Sequence, residues 1–189
     1  SSAASDVYKR QILTGLAAGI AFKAKFWNIG AEGQLYFGAL AVTFFGTGLI
    51  ELPSFLMIPF LFIVGALAGG MLLLPLVILR NLYRVDEVVT TLLLNFVVVL
   101  LVSYLLEGPM KDPMGLGWPQ GRSVIDQGVL PQLIPRTRLH MGFMISVFTA
   151  LAIWLILART VIGFQIKAVG FNPYASKHSG IPVMRTIII

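Results

Sequence analysis

Apolar residues in this chain come in long blocks, not at the alternate positions of a strand or in the single stripe of a surface helix. Leu35 to Ile50, Met57 to Leu79, Val88 to Leu106 and Met141 to Ala158 contain no Asp, Glu, Lys, Arg or His. Each block approaches the roughly 20 residues that carry an α-helix across about 30 Å of hydrocarbon. A shorter block, Ile12 to Phe22, reads as the end of a helix whose beginning is missing, and 186–189 reads as the start of another. The pattern predicts an all-α fold, a polytopic transmembrane helical bundle truncated at both ends. Residues 1–11, SSAASDVYKRQ, join abruptly to the first apolar block, fit no signal peptide and resemble translated sequencing-adaptor sequence. They are expected to be a non-native tail, which leaves 12–189 as the transmembrane domain.

Composition strengthens this picture. Of 189 residues, 57% are hydrophobic and 12% charged, against about 25% charged in an ordinary soluble domain. The net charge of +6 does not point to nucleic acid, because the basic residues are scattered through short loops and form no stripe interleaved with aromatics. They fit membrane orientation instead. With alternating spans, Lys23 to Gln34, Arg80 to Glu87 and Arg159 to Arg185 share one side, and Glu51 to Leu56 and Glu107 to His140 share the other. The first set carries eight basic residues and the second four, so the first is expected to face the cytoplasm. There is no cysteine, which removes disulfides and thiolate metal sites and leaves the redox compartment unread.

Several segments depart from the plain hydropathy pattern. FWNIGAEGQ, Phe26 to Gln34, places Asn28, Glu32 and Gln34 among glycines at a membrane boundary. Two readings stand: a broken helix or re-entrant turn beside protein or a wet cavity, or an ordinary interfacial loop. Asp86 and Glu87 supply an acidic N-cap and first turn to the fourth span. Within that span Thr90, Thr91, Asn95 and Ser103 are polar, and Asn95 is expected either to bond a neighbouring helix or to line a path. The GxxxG pairs Gly15/Gly19 and Gly65/Gly69 are read as packing sites. Glu107 to His140 is a loop rich in Pro and Gly with no stretch long enough to span.

Past the fifth span, Asn172 is a good N-cap and Pro173 occupies the first helical position. Gly180 and Pro182 then end a helix of about two turns. A helix that short is unstable alone in water and needs a surface to dock on. Val161, Ile162, Phe164, Ile166, Val169 and Phe171 give the preceding stretch an apolar surface, and a helix lying among lipid headgroups is the competing reading.

FWNIGAEGQLYFGAL, DEVVTTLLLNFVVVLLVSYLLEGPMKDP, the loop prolines with RLHMGF, and GFQIKAVGFNPYASKHSGI together resemble bacterial ABC-importer permeases of the branched-chain amino acid and simple-sugar superfamily. The likeness covers essentially Ile12 to Ile189 and is greatest to nucleoside or sugar permeases that work with a Bmp-type substrate-binding lipoprotein. It implies that Gly163 to Ile181 is the cytoplasmic loop that docks on the ATPase. Gly163, Phe164, Ala168, Gly170, Asn172, Pro173, Ala175 and Gly180 fall on this family pattern, while Ser176, Lys177 and His178 fall at variable or divergent places. Asn28, Glu32, Gln34, Thr91 and Asn95 are candidates for the translocation path. The expected setting is a multi-pass protein of the bacterial inner membrane, with a second permease, identical or paralogous. ATP and Mg would be bound by the ATPase and not by this chain. No GxxxxGK[ST] phosphate loop occurs in it, in keeping with a transport subunit that does no covalent chemistry.

The competing classes have less support. A membrane enzyme using Glu32, Asp86 or Glu87 lacks any metal-spaced cluster, and His140 and His178 fall in loops assigned to opposite sides. An ion-coupled transporter usually carries an ionisable group in the middle of a helix, and none of the full spans does. A branched-chain amino acid permease remains the nearest alternative. The orientation has a direct test: a cysteine at Lys177 should react with an impermeant thiol reagent only from the cytoplasmic side, and one at Gln127 only from outside. Reversed labelling would overturn the orientation.

Overall fold

The computed structural model describes residues 2–50, 52–115, 117, 118, 120–130 and 141–188. The prolines at 119, 131 and 135 and the RLH of RLHMGF lie outside these residues. The described chain forms helices α1 (Ser2–Lys23), α2 (Ala31–Gly46), α3 (Ser54–Tyr83), α4 (Glu87–Glu107), α5 (Met141–Arg159), α6 (Val161–Phe171), α7 (Pro173–His178) and α8 (Val183–Ile188). A single 3-10 turn at Asp126–Gly128 and an isolated bridge between Lys111 and Gly121 interrupt the long loop. The all-α expectation holds among the described residues.

Three helices, α3, α4 and α5, are long and apolar enough to cross a membrane. The second predicted span is shifted: α2 begins at Ala31 and ends at Gly46, giving 16 residues where 35–50 was expected. Glu32 and Gln34 therefore lie in the first turn of a helix, while Gly48 at φ 99° belongs to the turn that follows it. Hydropathy sees neither event, because Ala31 and Gly33 are compatible with helix or loop and the apolar Leu49 and Ile50 continue past the helix end. α1 likewise runs without a break from Ser2 through Ile12, its alanines, Lys9, Arg10 and Gln11 being good helix formers. The segment from Thr160 to Arg185, expected to hold one two-turn helix, is mostly helical, and α8 starts three residues before 186.

The chain divides into two compact units. One contains 30–76 and 89–129. Here α2 meets α3 and α4 at glycines. A Cβ built on Gly38 would lie 2.9 Å from the Gly65 carbonyl oxygen, one on Gly65 3.0 Å from Val42 Cγ2, and one on Gly69 3.2 Å from the Gln34 carbonyl oxygen. The Gly65/Gly69 pair thus packs against α2, as its spacing predicts. On the other flank Gly33 abuts Asn95 and Val98 of α4. At the far end of α2, Ile125 N–H donates to the Gly46 carbonyl at 2.9 Å, and Gly128 sits against Val124, Leu61 and the fully buried Met57. The end of α2 and the start of α3 therefore meet the described part of the long loop at 124–128.

The second unit contains 1–29, 77–88 and 130–189. It brings together the three other connections, 24–29, 80–87 and 160–182. α1 packs on α5 and α6, and α6 on α7 and α8. Gly15 and Gly19, unlike the other GxxxG pair, have nothing within 4 Å of a built Cβ.

Gly38 meets backbone, which cannot step aside as a flexible side chain can. Gly38→Val should therefore destabilise the protein by about 1–3 kcal/mol through overpacking. Gly70, with open space around it, should tolerate Ala with no loss and a gain of up to about 1 kcal/mol from helix propensity. Thermal unfolding of the two purified variants checks the contrast, and equal midpoints would contradict it.

Candidate functional site

The end of the second unit is assembled by short-range signals. Thr160 is the only residue between α5 and α6. Its hydroxyl donates to the Ile156 carbonyl at 2.6 Å and accepts from Gly163 N–H at 3.2 Å, so one side chain ends one helix and caps the next. The reversal brings α6 so close that a Cβ on Gly163 would collide with the Ile156 carbonyl oxygen. α6 then buries Ile166 and Val169 and turns Val161, Phe164 and Phe171 outward.

Gly170, near the end of α6, touches the Lys23 carbonyl oxygen closely enough that any Cβ would clash. Its need is for space and not for a special backbone angle, since it lies inside a regular helix and is not among the residues with positive φ. Asn172 has a double task. Its N–H donates to the Ala168 carbonyl at 3.0 Å and closes α6, and its Oδ1 accepts from the N–H groups of Tyr174 and Ala175, both at 3.1 Å, and opens α7. Pro173 stands at the first helical position. At the other end Gly180, φ 81°, donates to the Lys177 carbonyl at 3.1 Å, and Ile181 N–H to the Ser176 carbonyl at 3.0 Å. These two bonds satisfy carbonyls that the last turn leaves free.

The resulting six-residue helix buries Ser176 and presents Tyr174, 77% exposed, beside Phe171, 83% exposed. A pocket of about 870 Å³ lies along it, bordered by Asn81, Tyr174, Lys177 and Arg185. A second, of about 480 Å³, opens between Pro173, Tyr174 and the 80–87 turn.

That turn is organised by Arg80, whose position in a loop-side basic set marks it only as an orienting charge. Its Nη2 donates to the Lys25 carbonyl at 2.9 Å and lies 3.3 Å from Glu87 Oε1, and its guanidinium stands 5.1 Å over the ring of buried Phe26. Three chain segments thus meet at one planar cation. Asp86 accepts from Val88 N–H at 2.8 Å as the expected cap of α4. Nothing local in the sequence marks Arg80, because its partners are 55 residues upstream and seven downstream.

The path candidates divide between the units. Asn28 is buried in the second unit, on the turn before α2. Glu32, Gln34, Thr91 and Asn95 belong to the first. Glu32 is outward-facing in the first turn of α2, which complements the positive helix end. Thr91, fully buried, and Asn95 lie one turn apart on α4, and the Asn95 Oδ1 would be 2.7 Å from a Cβ on Gly33. That oxygen is buried without a hydrogen-bond donor. Asn95 therefore faces a neighbouring helix through contact, not through a bond at this atom. The described residues contain no cluster of three metal-ligating side chains.

Three long apolar helices among the described residues define the class, a polytopic helical membrane protein. The chain belongs to the family described as branched-chain amino acid transport system / permease component, whose profile matches residues 11–189. It is 32% identical over 178 residues to the guanosine ABC transporter permease protein NupP of Bacillus subtilis (strain 168), covering 94% of this chain and 51% of that protein. It is 36% identical over 179 residues to the glucose ABC transporter permease protein TsgB13 of Haloferax volcanii, covering 89% and 47%. The nucleoside ABC transporter permease protein NupB of Lactococcus lactis subsp. cremoris is 30% identical over 185 residues, covering 94% and 51%. The chain spans about half the length of these relatives. No solved structure matches it.

Removing Arg80 takes away the donor to Lys25 and the partner of Glu87 together. Arg80→Met should cost about 2–3 kcal/mol, the scale of lost charge-assisted hydrogen bonds, and Arg80→Lys less. Combined with Glu87→Leu the loss should be smaller than the sum of the single losses. Additive shifts in the thermal unfolding free energies would show that the pair is not coupled.

Proposed function

We propose that this chain is part of the membrane-embedded permease of an ATP-binding-cassette importer for a small polar solute, a nucleoside or a simple sugar. The doubly capped α7, held at the end of α6 with Phe171 and Tyr174 turned outward, is the observation that carries the proposal. Short helices need an external surface for stability, and this one is fixed at both ends before any partner arrives. Its partner is the ATPase subunit, which binds ATP and Mg. An extracytoplasmic substrate-binding lipoprotein delivers solute, and a second permease, identical or paralogous, completes the pathway in the bacterial inner membrane.

In this mechanism the coupling segment comprises Gly163, Phe164, Ala168, Gly170, Asn172, Pro173, Ala175 and Gly180. Closure of the ATPase dimer pushes on α7. Because Gly170 seats α6 directly against the end of α1, the push reaches the helix bundle without slack. Ala168 and Ala175 act through their backbone groups, one receiving the Asn172 N–H and the other donating to its side chain. Thr91, Asn95 and Gln34 are the path candidates of the first unit; Thr91 and the Asn95 Oδ1 are buried, and would meet solute only once the helices part. Asn28 and Glu32 stand on the segment that enters α2. Nucleosides and sugars are favoured over branched-chain amino acids because the relatives reported above are nucleoside and glucose permeases.

Co-purification of the full-length permease with its ATPase, followed by ATP hydrolysis in the presence and absence of loaded binding protein, tests the proposal. Loss of an N-cap costs about 1 kcal/mol, about fivefold in an equilibrium. Asn172→Leu should reduce stimulation by roughly that factor, and Gly170→Val should reduce it further, while both proteins still insert in the membrane. Full stimulation in both variants, or the absence of any ATPase partner, would remove the coupling role.

A further inference from the structure

Beside the docking helix lies a feature that coupling does not use. Lys23 ends α1, Lys25 follows in the left-handed conformation at φ 51°, and Lys167 projects from α6. These three lysines line one pocket of about 320 Å³ whose other lining residues are Phe22, Gly170 and Phe171. No carboxylate is among them. The backbone builds this arrangement: Arg80 holds the Lys25 carbonyl, and Gly170 lets α6 come up to the Lys23 carbonyl. An anion entering this pocket meets three lysines and no competing carboxylate in the lining.

The surroundings say what sort of anion. Trp27 lies against Phe22, the tilted rings 5.0 Å apart between centroids, and is half exposed, and Phe171 is outward-facing on the other wall. Aromatic side chains beside basic ones are typical of the headgroup level of a bilayer. Lys23 also closes one end of a second, apolar cleft of about 410 Å³ between α1 and α5, where Ile20 and Leu16 face Ala150 and Trp154. A cationic pocket continuous through one residue with an apolar cleft matches an amphiphile, with its phosphate among the lysines and an acyl chain between the helices.

We propose that this is a binding site for an anionic phospholipid, held by Lys23, Lys25 and Lys167. The site clamps the end of α1 to α6, the helix that displays α7. It does not depend on the identity of the transported solute or on an ATPase.

The test uses the full-length permease in neutral detergent, stripped of lipid, with its thermal midpoint followed on titration with phosphatidylglycerol, phosphatidylcholine, inorganic phosphate or glycerol phosphate. Phosphatidylglycerol should raise the midpoint at concentrations where phosphatidylcholine and the two soluble anions do not. Neutralising all three lysines to Gln should weaken the phosphatidylglycerol response about 100-fold, equivalent to about 1 kcal/mol per lysine. The triple Arg variant should retain it. If the Gln triple does not fold, the three single Gln variants, each expected to lose about fivefold, carry the comparison. An unchanged phosphatidylglycerol response in the Gln variants would overturn the proposal. So would an equal response to phosphatidylcholine, which would mean nonspecific lipid solvation, or to the soluble anions, which would mean a simple anion site. Loss of a co-purifying protein from the Gln variant with lipid binding intact would assign the lysines to an acidic protein surface instead.

Discussion

Close approach of helix backbones, made possible where glycine presents no side chain, is the constraint on which this structure depends. In lipid, burying apolar side chains against one another gains little, since the alternative environment is equally apolar, and dense packing must hold the helices together. Gly38 against the Gly65 carbonyl, Gly33 against Asn95 and Gly170 against the Lys23 carbonyl are each too tight for a methyl group. Two of these contacts set the spacing of α2 with its neighbours. The third seats α6 on α1, and α7 in turn packs on α6.

A helix of six residues cannot rely on its own hydrogen bonds, and the chain supplies ends from outside it. Asn172 closes α6 and opens α7 with different atoms, so the angle between the two helices is set by a single residue. Thr160 does the same between α5 and α6. From Ile156 to Ile181 almost every change of direction is thus governed by one polar side chain or one glycine.

Charge has a different role from the one its distribution along the chain suggests. Counting Lys and Arg by loop treats them as equivalent markers of the cytoplasmic side. In the fold they separate by function. Arg80, flat and able to donate in several directions, ties together the turns before α2 and α4. Lys23, Lys25 and Lys167 are left lining an open pocket.

The sequence by itself determined the helical class, three of the long spans to within a few residues, the cap of α4 by Asp86 and both ends of α7. All of these rest on local physics: hydrocarbon thickness fixes block length, and caps act within one turn of the residue that supplies them. It also singled out Gly65/Gly69 as a packing pair, though it gave Gly15/Gly19 the same standing, because spacing records which residues share a helix face and not whether another helix lies against it. Tertiary structure alone decided that Gly170 is needed for space, that Glu32 starts a helix facing outward, and that Asn95 meets Gly33. It alone brought Arg80 to Lys25 and Phe26, and Lys167 to Lys23. Each of these pairs is more than 50 residues apart in sequence or depends on a side chain's direction around a helix, and no periodicity within one segment carries that information.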